Sequence, residues 1–522
     1  MDEQKPTENQ TEDLPKKQTE EQTEGQIKKH TENQIKEPSK KQRVTAREWI
    51  KDNVDSKQIV SSIITLIVAF IAGLAVYYYP KVVAHFRCYN RPYITFESDF
   101  TQVFHMSQEI PTLEYSLGES RWKPLKTQNI VFGGERGKLL LRGKSHKGTA
   151  IYEDTVFGIA KGANISFASN AEVICTGDIR TLVDYIHYDE AETSEAKFVG
   201  LFSNCSQLVV APELPSKVLN ECCYQWMFAG CKSLKTVPEL PAEKLAKKCY
   251  LGMFAGCTSL EHAPKLPAMN LAEECYLNMF GNCTSIKSTP KLPAENLVKG
   301  CYTNMFTGCT SLEFISNLPA VNLAEKCYYF MFSRCTSLKY VPELPAKNLA
   351  YWCYMGMFSG CTSLIRAPKL SAENMAEDCC SYMFSDCVSL QIAPELPADS
   401  LAYRCYSYMF SGCTSLNHIP GLPAKNLSKA CYVHMFSDCT SLEKAPKLPA
   451  VNLADWCYSG MFSGCTSISE VTMLAKNNDA EDCFKNWLKG VAPKGIFYKN
   501  KHAGWRNESV IPLGWEVELI NP

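Results

Sequence analysis

From position 205 onwards the large apolar residues of this chain return in the same order every 26 residues. The stretch CYLGMFAGCTSLEHAPKLPAMNLAEE, residues 249–274, is followed without insertion by CYLNMFGNCTSIKSTPKLPAENLVKG and then by further variants. Self-similarity at such a period marks a solenoid, in which each unit covers its neighbour and none closes a core alone. Inside the unit, Leu271, Cys275 and Met279 are four apart, with Tyr276 and Phe280 beside them. This spacing predicts an amphipathic helix of about three turns. Asn270 is its expected N-cap, with Asn296, Asn322, Asn348, Asn374, Ser400, Asn426 and Asn452 as equivalents, since a short polar side chain can accept from free first-turn amides. The residue before the second cysteine is Gly, Asn or Asp, as at Gly256, Asn282, Gly308, Gly360 and Asp386, with Arg334 the exception. These residue types suit a left-handed helix stop. The segment after it, 258–267, is too short and too rich in proline for a second helix; it predicts a strand over 259–263 and a fixed turn. One strand and one helix per unit describe an α/β repeat, a leucine-rich-repeat solenoid of about 11 coils, over residues 201–485.

The flanks carry other patterns. Short alternating runs between 92 and 200, among them YITFES, NIVFGG, KLLLRG and NISFASNAEVICTG, predict a small β-rich domain leading into the array. At the far end, residues 486–522 bring Trp487, Phe497, Trp505 and Trp515, which are expected to cover the last exposed coil. Residues 1–57 are nearly free of large apolar residues and are expected to be disordered, because such a segment buries too little surface to offset its ordering entropy. Residues 59–79, IVSSIITLIVAFIAGLAVYYY, hold no charge. Their length matches a bilayer core of about 30 Å, so a single transmembrane helix is expected over 58–80, and with it the membrane as a partner. Lys40, Lys41, Arg43, Arg47, Lys51 and Lys57 outnumber Lys81, Arg87 and Arg91 across that run, which predicts a cytoplasmic tail and repeats outside.

Charge changes this picture little: the formal net charge is −1, with no global field to favour nucleic acid and no basic face with interleaved aromatics. Cysteine changes it more. Of the 26 cysteines, 22 lie in two columns of the repeat. They include Cys249, Cys275, Cys301, Cys327, Cys353, Cys379, Cys405, Cys431 and Cys457 in the first, and Cys231, Cys257, Cys283, Cys309, Cys335, Cys361, Cys387, Cys413, Cys439 and Cys465 in the second. Eight positions along a helix is about 12 Å, too far for one unit's two thiols to share a zinc ion or a disulfide. Bridges between neighbouring coils stay open, but the stronger expectation is a ladder of buried free thiols, each acting as a small hydrophobe. Cys222 and Cys380 fall off the pattern and are expected to point outward or sideways. No nucleophile-base constellation, cofactor loop or metal spacing stands out, and an enzyme is not expected.

The pattern Met-Phe-x-Gly-Cys-Thr-Ser-Leu-x-x-Ala-Pro-x-Leu-Pro-Ala resembles the BspA-type leucine-rich repeats of bacterial surface proteins. LEYSLGESRWKPL at 113–125 is similar to the strand-rich segment that often precedes such arrays, and WLKGVAPKGIFYKN with IPLGWEVE, within 487–518, to their usual C-terminal cap. The resemblance implies adhesion or protein binding at a cell surface, with no catalytic residues and no cofactor.

Information must then lie in the positions that vary. The candidate ligand surface is Glu239, Glu261, His262, Lys265, Lys291, Phe314, Tyr340, Glu343, Arg366, Lys369, Glu395, His418 and Lys447, which follow the strand leucine or stand between Pro and Leu. In a solenoid such columns become stripes suited to an extended or protein ligand. The expected function is a membrane-anchored, surface-displayed interaction protein; the competing reading is an intracellular, membrane-tethered scaffold.

Overall fold

The computed structural model describes residues 91–118, 121–154, 159–191, 193, 195–505 and 510–521. Arg91–Pro522 gathers into one compact unit. The expected disordered tail and the apolar run at 59–79 lie outside the described residues.

The first part is built from the alternating runs. A six-stranded sheet has the order Leu208–Val210, Val173–Thr176, Ile94–Glu97, Leu139–Gly143, Leu113–Leu117, Lys123–Pro124. A three-stranded sheet places Gln102–Met106 between Ile130–Phe132 and Ile165–Phe167. Alternate residues face inward, so Phe96, Phe104, Phe132 and Phe167 meet as one ring cluster with centroids 5.6–6.4 Å apart. Phe202, at the start of the array, joins that cluster 6.2 Å from Phe96. The core therefore passes without a break from the sheets into the repeats.

The repeats correct the sequence expectation. Among the described residues there is no α-helix, and no helix is long and apolar enough to cross a membrane. The expected α/β solenoid is thus corrected to a solenoid of linked turns, while the expected transmembrane helix falls on residues outside those described. In the coil that starts at Cys249, the amides of Cys249, Leu251, Met253, Ala255 and Cys257 donate to carbonyls three residues back, at 3.0–3.2 Å. The amides between them do something else: Tyr250, Gly252, Phe254 and Gly256 donate to Cys275, Leu277, Met279 and Gly281 of the next coil, at 2.8–3.0 Å. Every second carbonyl accepts from within the coil and the others accept from the coil before, so the row leaves no buried backbone group unpaired. This alternation requires a left-handed residue at every fourth position, seen at Lys248 (φ 57°), Gly252 (φ 58°) and Gly256 (φ 74°), then at Glu274, Asn278 and Asn282. Each non-glycine residue held there costs about 1–2 kcal/mol. Burying the Tyr, Met and Phe of each coil, at about 1.5–3 kcal/mol apiece, outweighs it.

The remaining columns change meaning accordingly. The asparagines cap nothing: Asn322 Nδ2 donates to Asn296 Oδ1 at 2.6 Å, and Asn374 to Asn348 at 2.7 Å, tying coil to coil. The strand expected over 259–263 does not form; single parallel bridges such as Ser288↔Phe314 and Arg366↔Ile392 hold that column instead. Phenylalanines stack in a continuous ladder from Phe202 to Phe462, with steps of 5.2–5.8 Å. Trp487 follows at 6.3 Å and is buried, as are Trp505, Trp515 and Phe497, the last on the middle of three parallel strands, Glu470–Met473, Ile496–Asn500 and Glu516–Ile520. A parallel ladder of tyrosines runs from Tyr224 to Tyr354 and resumes at Tyr406. The gap is Cys380, fully buried where the coils on either side have Tyr354 and Tyr406, and Cys222 is buried as well; neither points outward.

All described cysteines are buried and unbridged. Those of the second column serve the backbone. Cys283 Sγ donates to Phe254 O at 3.0 Å, and the same bond recurs from Cys231 to Phe202 and from Cys465 to Phe436. Each such carbonyl already accepts its own coil's cysteine amide, as Phe254 does from Cys257. The thiol fills the second lone pair, which a valine or alanine of similar bulk could not do.

Two outcomes follow from this geometry. At Gly356 (φ +60°), an added Cβ would run into the Phe330 ring. In a helix interior Gly→Ala would stabilise by about 1 kcal/mol; here Gly356→Ala should destabilise by about 1 kcal/mol or more, a difference of sign that a urea melt reads directly. Burial also pushes the thiols of Cys283, Cys301, Cys361 and Cys431 from 9.0 up to about 12. The folded chain holds these protons more tightly, so the stabilisation is complete below pH 9 and is lost as the pH climbs from there towards 12. The urea midpoint should be level near neutrality and fall steeply above pH 9, each such thiol giving up about 1.4 kcal/mol per pH unit; a profile that stays level to about pH 11 would contradict it.

Candidate functional site: a variable stripe and two grooves

After each second-column cysteine the chain runs straight enough to alternate. Leu260 is buried, Glu261 and His262 are exposed, Pro264 is buried, Lys265 exposed and Leu266 buried. The apolar residues anchor the segment to the core, so the variable ones have only solvent to face. Backbone bonds between coils keep them in file: Phe314 N donates to Lys287 O at 3.2 Å and His418 N to Gln391 O at 3.1 Å. Each residue of the candidate surface, from Glu239 through Phe314 and Tyr340 to Lys447, is exposed.

The stripe is not uniform. At its N-terminal part charges neutralise one another across coils, as Lys287 with Glu261 at 3.8 Å. In its middle, three consecutive coils expose large apolar groups: Phe314 is 61% exposed, Tyr340 66% and Ile365 38%, with Arg366 exposed beside Ile365. Such side chains in adjacent coils form an apolar patch with a charged rim, the arrangement that marks protein-binding surfaces. Ile365 belongs to this patch although it stands outside the candidate set, where charge and aromatic character dominated the choice.

Two grooves open on the Pro-x-Leu-Pro side. One, of about 530 Å³, brings Lys369 and Glu395 together, with Lys347, Ser371 and Glu373 on its walls. The second, of about 570 Å³, brings Glu395 and Lys447 together with Asp399 and Lys425. They share Glu395 and Pro397. Lys347 and Glu373 pair at 2.8 Å along the first wall. Glu239, Glu261, His262, Lys265 and Lys291 line neither groove. Sequence reasoning passed over Ser371 and left Gly421, a member of the variable column, outside the candidate set, although both help to form these grooves. The signal was available: Ser371 replaces the proline found at Pro345, Pro397 and Pro423, and Gly421 replaces a charged side chain. The grooves are lined by proline, leucine and solvated charges.

Comparison with curated proteins and with solved structures finds no match. A family model described as the BspA type leucine rich repeat region matches in six copies, over residues 199–313, 251–365, 277–393, 331–449 and 381–489. With those spans covering more than half of the 522 residues, the chain belongs to the BspA-type leucine-rich-repeat family.

Proposed function

We propose that this protein recognises another protein through the stripe centred on Phe314, Tyr340, Ile365 and Arg366, with the adjoining grooves at Lys369, Glu395 and Lys447 extending the contact. Leucine-rich repeats serve protein binding in general, and the observation that carries the finer reading is the exposed apolar patch on three successive coils. Large rings held in place by a rigid backbone lose little entropy on binding, and hot spots concentrate in such residues. Recognition, with no chemistry performed on the partner, is the role proposed. The resemblance to bacterial surface proteins supports display outside the cell. One observation favours an intracellular scaffold instead: the described cysteines are unbridged and several donate hydrogen bonds as thiols, a state that reducing compartments maintain.

Affinity capture with residues 91–522 tests the surface. Phe314→Ala combined with Tyr340→Ala should weaken binding of a captured partner by at least about tenfold, since truncating a hot-spot residue costs about 2 kcal/mol or more. Glu261→Lys, on the charge-paired part of the stripe, should change affinity by less than about threefold. Equal losses from both would move the site away from the patch. Protease added to intact cells separates the two locations: surface display predicts loss of the repeats, an internal scaffold their survival.

A further inference from the structure

Within the turn row the inter-coil hydrogen bonds run in one direction, from an amide of one coil to a carbonyl of the next, so this row has two chemically different ends. At the first end the carbonyls are in use: Thr149 N donates to Lys197 O at 2.9 Å, Ile165 N to Leu201 O at 2.7 Å, and Asn164 Nδ2 to Ser203 O at 2.9 Å. At the last coil the turn spiral is intact, since Lys485, Trp487 and Lys489 still donate three residues back, at 3.1–3.3 Å. The amides between them have lost their acceptors. Phe484, Asn486, Leu488 and Gly490 occupy the positions that in the coil before are Tyr458, Gly460, Phe462 and Gly464, which donate onward at 2.8–3.1 Å. Among the described residues these four amides donate to nothing.

The row lies along a cavity of about 230 Å³ lined by Phe484, Asn486, Trp487, Leu488, Lys489 and Val510. Trp487 Nε1 donates to Val510 O at 2.7 Å and so fixes the far wall. Within this row the inter-coil peptide dipoles are aligned over successive coils and add a partial positive charge at its open end, for the reason that makes a helix N-terminus attract acceptors.

We propose that this open row is a second binding surface, which captures a segment of a partner protein that takes the place and the turn spiral of the coil the array lacks. Carbonyls two residues apart in that segment pair with the amides of Phe484, Asn486, Leu488 and Gly490, as in strand addition to a sheet edge. An apolar side chain of the segment enters the cavity beside Leu488. The shape of the occupant is given by the preceding coil junctions, where the same four positions hold a polypeptide that presents carbonyls at this spacing. A small anion could reach only one or two of the four donors. The first end of a second copy cannot serve, because its carbonyls are already taken.

Backbone-amide hydrogen exchange on residues 91–522, the compact unit whose core runs unbroken from Ile94 to Trp515, tests the proposal. The probe is a synthetic peptide, LADWCYSGMFSGC, that copies the coil at 453–465. Without peptide, the amides of Phe484, Asn486, Leu488 and Gly490 should exchange at least about tenfold faster than those of Tyr458, Gly460, Phe462 and Gly464. Excess peptide should slow the open row and leave the earlier coil unchanged. Slow exchange of the row in the free fragment, or no response to the peptide, would overturn the proposal. So would equal slowing by inorganic phosphate, which would make the row an anion site. Protection of the row in the full chain alone would also overturn it, by assigning the surface to the chain's own remaining segment.

Discussion

The backbone of the array rests on one rule: amides alternate between a carbonyl three residues back and a carbonyl in the next coil. Half the bonds close each turn and half join neighbours, so a single coil can satisfy only part of its backbone. Stability is therefore shared along the array, and the ends need partners of their own. The same rule dictates the left-handed residues, since only a chain that reverses its twist every fourth position can aim successive amides in two directions. Where that position is glycine, a ring from the previous coil can lie over it, as Phe330 lies over Gly356 and His434 over Gly460.

The side chains conform to this backbone. Because coils repeat without insertion, identical residues fall directly over one another and stack as ladders of phenylalanine, tyrosine and thiol. The second-column cysteine is chosen for a donor as much as for volume: its thiol reaches a phenylalanine carbonyl that would otherwise have one lone pair buried and idle. What the ladders leave free is a narrow set of positions between core anchors. Variation there does not disturb packing, and for that reason a patch such as Phe314, Tyr340 and Ile365 can form without loss of the scaffold. Cys380 and Ser371 are departures in neighbouring coils, the first breaking the tyrosine ladder and the second lining a groove.

Much of this was legible in the residues themselves. The 26-residue period, the buried status of the repeat cysteines, the left-handed character of the position before the second cysteine and the outward placement of Glu261, His262 and Lys265 all follow from residue type and spacing. The helix does not. Leu271, Cys275 and Met279 recur every four residues, which fits a 3.6-residue helix over three turns and a four-residue double turn equally well. The columns at Gly252, Asn278, Asn304, Gly356 and Gly460 argue for turns, because these are poor residues for a helix interior; read one coil at a time they pass for tolerated exceptions.

By itself, then, the sequence determined the repeat, the family to which it belongs, and which positions are core and which are free to vary, since each of these depends on residue chemistry at a fixed spacing. Only the tertiary structure decided how the backbone bonds are distributed, because half of the acceptors belong to the next coil, 25 residues further along the chain. It alone also decided that Lys369 and Glu395 meet in one groove, and that the last coil ends in a row of unused donors. Both are properties of neighbours, and no local pattern records what a residue's neighbour in space will be.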